Sequence, residues 1–251
     1  MRIEKFYAPF YSENPYLFLA PGSNQALIVD PGHGALEQIQ QELSRLEATV
    51  AAVLCTHGHA DHIWDAHAIA GKAPVYIPAP DEYRFHPEKL DPRERTEHEL
   101  SLPPWQEPEN LQELPAAATS EGVELAPGIF IRAVPAPGHT EGSSLFLFEA
   151  SDLNGSAAQE AQNIYGQWLA ESGREVGSPR QLALSGDVIF FGSVGRTDLP
   201  GGDSQQMLHT LRTLQNVINP DTVLLPGHGP STVFGLEKSH NPFLAQARYQ
   251  G

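Results

Sequence analysis

Cysteine is nearly absent from this chain of 251 residues: Cys55 stands alone. An intrachain disulfide needs two cysteines, so no disulfide framework holds the fold. Cys55 sits in the run Val53-Leu54-Cys55 and reads as a small buried apolar residue rather than a nucleophile. Long apolar runs are missing as well. No stretch approaches the roughly 20 uninterrupted apolar residues that span a bilayer. The opening Met1-Arg2-Ile3-Glu4-Lys5-Phe6-Tyr7 has neither an apolar signal core nor a small-residue cleavage site, so a cytoplasmic location is expected. Positive charge is scarce: 15 Lys and Arg face 31 Asp and Glu, for a net charge of −16. Nucleic acids and anionic membranes bind through clustered cations, so neither is expected as a partner. A small anionic substrate would need local cations to offset the repulsion. Nothing in the sequence sets the oligomeric state.

What remains is a chain with a core. Hydrophobic residues make up 40% and charged residues 18%, which excludes global disorder. The length fits one domain over 1–251. Short β-type runs are expected at 3–7, 16–19 and 26–29, the last closed by Asp30-Pro31-Gly32. Leu36, Ile39, Leu43 and Leu46 recur three or four apart and mark one face of a helix. A buried strand at 50–55, a helix at 63–70 stopped by Gly71 and a strand at 75–77 follow. Residues 78–119 read as short helices and loops without obvious chemistry. Strands resume at 123–125, 129–134 and 144–148. Residues 150–181 are polar and read as an insertion, with a helix near 157–170 whose apolar contacts are Ile164, Trp168 and Leu169. It either covers a cleft or elaborates the surface, the latter being preferred. A strand at 182–184, a helix at 207–218, a strand at 222–225 and a helix at 235–248 broken at Asn241-Pro242 complete the chain.

The chemistry concentrates in Thr56-His57-Gly58-His59-Ala60-Asp61-His62, which follows the 50–55 strand. His57 and His59, two apart in an extended segment, point to one side. The turn into the next helix can aim Asp61 and His62 at a neighbouring point, so one loop can serve two adjacent metals. Imidazole and carboxylate donors suit zinc, iron or manganese. Three further apolar runs end in glycine turns with a potential ligand: Pro137-Gly138-His139-Thr140, Ser185-Gly186-Asp187 and Pro226-Gly227-His228-Gly229-Pro230. Sites in layered α/β proteins form where strand C-termini open into loops, so four such loops can converge. Each His-bearing turn alone is more often a plain loop. The four together, in this order, point to a metal site.

These motifs resemble the metallo-β-lactamase-fold superfamily, on T-H-G-H-A-D-H (56–62), P-G-H-T (137–140), S-G-D (185–187) and P-G-H-G-P (226–230). Within it, F-G-S-V-G-R-T-D-L-P-G-G-D (191–203) and H-N-P-F-L (240–244) are similar to the glyoxalase II-like, hydroxyacylglutathione hydrolase-like branch. The resemblance implies an α+β fold, an αββα sandwich of two mixed β-sheets flanked by helices. It implies two divalent ions, zinc first and iron or manganese as alternatives. One is held by His57, His59 and His139, the other by Asp61, His62 and His228, with Asp187 bridging. Asp61 and Asp187 are the implied catalytic carboxylates. Two such ions a few ångströms apart can share a water and lower its pKa toward about 7, and the hydroxide attacks a carbonyl. The implied substrate is S-lactoylglutathione or a related acyl-thioester. Larger members grip glutathione with a helical C-terminal extension. Here only residues 231–251 follow the last motif, which leaves Arg196 and Lys238 as candidate substrate cations. Arg196 could equally pair with Asp198 or Asp203.

Rival readings are a persulfide dioxygenase-like mono-iron enzyme, using His57, His139 and Asp187, and a nuclease or other hydrolase on the same fold. The intact Pro226-Gly227-His228-Gly229 favours the hydrolase, and the acidic balance disfavours the nuclease. Of the remaining residues, His33 could approach the site. His67, His86, His98, His209 and His240 read as surface or structural. Trp64 and Tyr76 read as core. Asp30 reads first as a turn residue, although it could accept a hydrogen bond from a ligand imidazole.

Overall fold

Alternation along the strands sorts the side chains into layers, and those layers are the architecture. In the computed structural model, which describes all residues except 96–103, 150, 176, 250 and 251, strand β3 (Gln25–Val29) shows the rule. Leu27 and Val29 enter the central core, while Ala26 and Ile28 pack on the other side with Ile39 and Ile69. Strand β10 (Gln181–Gly186) does the same in the second sheet. Leu182 and Leu184 face the central core, and Ala183 faces Met207, Leu211 and Leu214. Successive side chains on a strand point to opposite faces, so two sheets back to back with helices outside satisfy every one of these residues. His98 falls outside the described residues.

The first sheet runs β1 (Arg2–Lys5), β2 (Tyr16–Leu19), β3, β4 (Thr49–Leu54), β5 (Val75–Ile77) and β6 (Leu111–Glu113). Its β1–β2–β3 part is antiparallel and its β3–β4–β5–β6 part parallel. The second sheet runs β14 (Thr232–Val233), β13 (Val223–Pro226), β10, β9 (Ser144–Glu149), β8 (Ile129–Pro135) and β7 (Val123–Ala126). Only β10 and β13 are parallel there. A small hairpin of β11 (Ile189–Phe190) and β12 (Ser193–Val194) stands apart. Phe18 and Phe148 meet edge to face across the sheets, ring centres 4.9 Å apart. Outside the first sheet lie α1 (Leu36–Arg45), α2 (Ala60–Ile63) and α3 (Ala66–Ala70). Outside the second lie α5 (Ser204–Val217), α6 (Phe234–His240) and α7 (Pro242–Tyr249). This is the αββα sandwich of two mixed sheets that the motifs implied. Cys55 is fully buried in the outer core of the first sheet. Trp64 is buried, and Tyr76 is half-buried against the central core.

Three expectations change. The helix at 63–70 is two helices, because Asp65 leaves helical geometry and turns its carboxylate onto the Gly34 and Leu36 amides, at 3.0 Å each. The 78–119 region adds the edge strand β6 to its short helices and, as shown below, holds part of the site. The 150–181 segment is not a surface elaboration. Its helix α4 (Ser156–Glu171) buries Ala157, Ala158, Ala161, Tyr165 and Leu169 in the central core, with Ile164 and Trp168 packed beside them. It lies against β1, β13 and β14, so one helix covers an edge of each sheet, where unpaired strands would otherwise be exposed. No helix among the described residues is long and apolar enough to cross a membrane.

Candidate metal centre

All four ligand-bearing loops leave their sheets at one end. The β4 strand delivers His57, His59, Asp61 and His62. The β8–β9 turn delivers His139, β10 delivers Asp187 and β13 delivers His228. Glycine allows the crowding where two loops touch. A Cβ on Gly227 would stand 2.5 Å from both Asp187 Oδ1 and His62 Cε1, a contact no side chain tolerates. At Gly58 a Cβ would meet the Arg84 side chain at 2.6 Å.

The seven residues form two clusters joined by Asp187. His57, His59 and His139 offer ligand atoms within 4.8 Å of one another, as do Asp61, His62 and His228, and His57, His62 and Asp187. Asp187 Oδ1 lies 3.3 Å from His62 Nε2, while its Oδ2 lies 3.4 Å from both His139 Nε2 and His228 Nε2. Asp61 Oδ2 stands 3.3 Å from His228 Nε2 and 3.8 Å from His62 Nε2.

The electrostatics ask for cations. The Nε2 atoms of His57 and His62 and Oδ1 of Asp187 are buried without a hydrogen bond, a costly state for polar atoms with nothing to coordinate. Burial pushes the His57 pKa well down, helped by His62 and His139. It likewise pushes His59 down to about 3. Both are therefore neutral imidazoles, the form that ligates metals. Burial opposes charge on His62 too, but Asp187, Asp61 and Asp30 outweigh it and raise its pKa well above the ordinary value. Desolvation of Asp187 is likewise outweighed, chiefly by His62, and its carboxyl stays well below the usual range. The donor set, its orphaned atoms and its negative field fit divalent ions.

Other residues hold these side chains in place. Asp30, buried with φ of 45°, accepts from the Thr56 amide and hydroxyl at 2.7 Å each and lies 3.1 Å from His62 Nδ1. Of its two readings, turn residue and imidazole partner, it fulfils both. Asn14 donates its amide to the carbonyls of Pro226 and Gly229, and Tyr16 donates its hydroxyl to Pro226. These bonds clamp the His228 loop.

Several residues were not found from sequence. Asp81, fully buried, accepts from the Gly58 amide at 2.9 Å, the Thr140 hydroxyl at 2.7 Å and the Gly142 amide at 2.6 Å. It thereby ties the His57–His59 loop to the His139 loop. Arg84, three residues on, is buried against Asp81, Glu94, Glu141 and the Pro200 carbonyl. The available signal was position: both follow β5, a parallel neighbour of β4 that ends at the same edge. Glu13 is the other omission, a fully buried carboxylate 3.8 Å from His62 Nδ1.

The clusters floor a cavity of about 470 Å³. Tyr11, Leu90, Phe190, Val194 and Leu199 give it apolar walls, and Arg93, Glu94 and Arg196 stand at its polar side. Arg196 reaches the cavity as expected, but its guanidinium is pinned by Asp198 through two 2.7 Å bonds. Lys238 does not line the cavity. Its ammonium donates to the Gln215 carbonyl at 2.9 Å, because α6 points it along the outer helical layer. His33 is buried between Phe10 and Trp64 rather than in the cavity. His67, His86 and His240 bond to nearby carbonyls and carboxylates outside it.

A family model described as the metallo-beta-lactamase superfamily matches residues 8–153. Among curated relatives, the hydroxyacylglutathione hydrolase GloC of Haemophilus influenzae is 28% identical over 97% of this chain and 98% of its own. Among solved structures, the BLEG-1 B3 metallo-beta-lactamase is 26% identical with a TM-score of 0.70, covering 96% of this chain and 99% of that one. TTHA1623, solved in a di-iron-bound form, is 25% identical with a TM-score of 0.67, covering 95% and 98%.

Proposed function

The chain belongs to the metallo-beta-lactamase superfamily, and from that premise we propose that it is a dinuclear hydrolase of acyl-thioesters, of which S-lactoylglutathione is the type. The observation that carries this reading is Asp187, whose two carboxylate oxygens reach imidazoles of both clusters. His57, His59 and His139 would hold the first ion, and Asp61, His62 and His228 the second, with Asp187 shared between the two clusters. Divalent ions bound there supply Lewis acidity and a water acidic enough to act at neutral pH. Zinc is the first assignment. The di-iron neighbour supports a two-metal centre and makes iron the alternative.

The chain's own residues do the rest. Asp61, at the cavity floor, orients the attacking water by accepting its hydrogen. The apolar walls exclude bulk solvent and hold the acyl group. Arg196 stands at the rim, but its pairing with Asp198 leaves it little charge to offer an anionic part of the thiol. The relative named as a hydroxyacylglutathione hydrolase supports the thioester class. No serine or cysteine nucleophile is needed, and Cys55 is sealed in the core.

Metal quantification paired with a substrate panel tests the proposal. Two zinc ions per chain with thioester hydrolysis support it. One iron per chain with oxygen consumption on glutathione persulfide overturns it, as does β-lactam hydrolysis with no thioester turnover.

A further inference from the structure

Each of the five clustered imidazoles turns one nitrogen toward the other ligands and one away. Four of the outward nitrogens meet an oxygen. His57 Nδ1 lies 3.1 Å from Thr56 Oγ1, and His62 Nδ1 lies 3.1 Å from Asp30 Oδ2. His139 Nδ1 lies 2.7 Å from the Arg196 carbonyl, and His228 Nδ1 lies 3.2 Å from the Ser12 carbonyl. His59 is reversed. Its Nδ1 faces His139 Nε2 at 2.8 Å, so Nε2 is the outward atom. That atom is buried and makes no hydrogen bond. The carboxylate facing it is Glu94, with Oε1 at 4.0 Å.

We propose that Glu94 is the positioning residue of His59, the carboxylate that receives its Nε2–H when the His57, His59 and His139 cluster is filled. A separation of 4.0 Å is closed by a small rotamer shift or bridged by one water. A ligand imidazole needs such a partner, which fixes its tautomer and raises its basicity. The other four ligands each have theirs, which makes the missing fifth specific. Neither the neighbouring sequence nor the four motifs signals it.

Glu94 is also held where this requires. The same Oε1 takes a charge-assisted hydrogen bond from Arg84 Nη1, and Arg84 is 1% exposed. Its Nη2 is anchored at 2.8 Å on Glu141 and 3.0 Å on the Pro200 carbonyl. Glu94 and Leu90 both line the cavity. One carboxylate therefore joins the cavity wall to a ligand of the first cluster. A bond to Nε2 leaves the proton on that nitrogen and frees Nδ1 to coordinate.

The proposal rests on the reading of this cluster as a metal site, and the test separates the two. The full-length protein is stripped of metal and titrated with Zn²⁺ against a chromophoric chelator, in a His228→Ala background that leaves the first cluster as the strong site. Glu94→Ala in that background is expected to weaken Zn²⁺ binding about 10–100-fold, and Glu94→Gln, which keeps an acceptor oxygen, to recover most of the loss. With Co²⁺, Glu94→Ala shifts the visible ligand-field bands and Glu94→Gln shifts them less. An Ala variant within threefold of its background, with unchanged bands, overturns the positioning role. So does equal weakening of the second cluster, measured by Glu94→Ala in a His139→Ala background, because that outcome marks general loosening. If the His228→Ala protein itself binds no Zn²⁺, the metal-site reading falls and takes the proposal with it.

Discussion

Removing the Asp81 carboxylate should destabilise the fold more than any surface change, and its size follows from three bonds. Asp81 is fully buried and accepts from Gly58 N, Thr140 Oγ1 and Gly142 N at 2.6–2.9 Å. Alanine leaves all three donors without that acceptor. A buried donor left unpaired costs about 1–3 kcal/mol. Thr140 can turn its hydroxyl to Ser143, 2.7 Å away, so two amides carry most of the penalty. The expected loss for Asp81→Ala is about 4 kcal/mol, a large share of the roughly 5–15 kcal/mol that a domain possesses. Asparagine keeps one accepting oxygen but presents an NH₂ where the other stood, which sets one donor against another. Asp81→Asn should lose about 2 kcal/mol. Urea unfolding of the metal-free protein measures both, since bound metal would add its own stabilisation. The reasoning fails if the alanine variant lies within 1 kcal/mol of wild type, or if asparagine is as damaging as alanine.

Asp187→Ala should lower metal content below two ions per chain and abolish hydrolysis while circular dichroism stays unchanged; full activity in this variant removes the bridging role. Arg196→Ala should raise KM for an anionic thioester by no more than about fivefold, because its guanidinium is exposed and already paired with Asp198 and exposed ion pairs contribute little, whereas Lys238→Ala should leave KM unaltered; the opposite pattern would mean that α6 reaches the substrate. Burial holds the Glu13 carboxyl well above the usual range, so its ionisation opposes folding as pH rises above the unfolded value of about 4.3. Metal-free Glu13→Gln should therefore be more stable than wild type at pH 8, with the gap narrowing toward pH 5. A gap that stays constant between these pH values would show that Glu13 does not titrate in that window.

The ligand loops were readable because each couples an apolar run to a glycine turn and a ligand within a few residues. Strand β4 followed by His57 through His62 is the clearest case, and β13 followed by Gly227-His228 the next. The inner and outer faces of β3 and β10 likewise follow from period-two burial. Asp81, Arg84 and Glu94 were not readable for a physical reason. Asp81 works by accepting from two backbone amides, Gly58 and Gly142, and backbone amides leave no mark in the sequence. Arg84 answers to Glu94, Glu141 and Pro200, partners spread over more than a hundred positions. The helix expected at 157–170 is present as α4, but its place in the core is not legible because its inner face is made largely of Ala157, Ala158 and Ala161, small residues that give a weak hydrophobic stripe yet permit close packing on β1 and β14.

If the substrate is the proposed anionic thioester, the cavity offers it little cationic grip. Arg196 is tied to Asp198, and Arg93 to Asp91 at 3.0 Å, so both rim cations are locally neutralised. Lys238 is turned away onto Gln215. Apolar contact is what the cavity has left to offer, through Leu90, Phe190, Val194 and Leu199. Each buried methylene contributes about 0.8 kcal/mol, close to a fourfold gain. In a series of acyl-glutathiones from acetyl through propionyl to butyryl, kcat/KM should therefore rise about fourfold per step until the cavity of about 470 Å³ is filled. Raising the salt from about 50 to 500 mM should change KM by less than threefold, since Arg93 and Arg196 are already paired with Asp91 and Asp198 and leave little net attraction for salt to screen. A flat or falling acyl series combined with a steep salt dependence would refute this argument and return recognition to Arg93 and Arg196, freed from their aspartates when substrate binds.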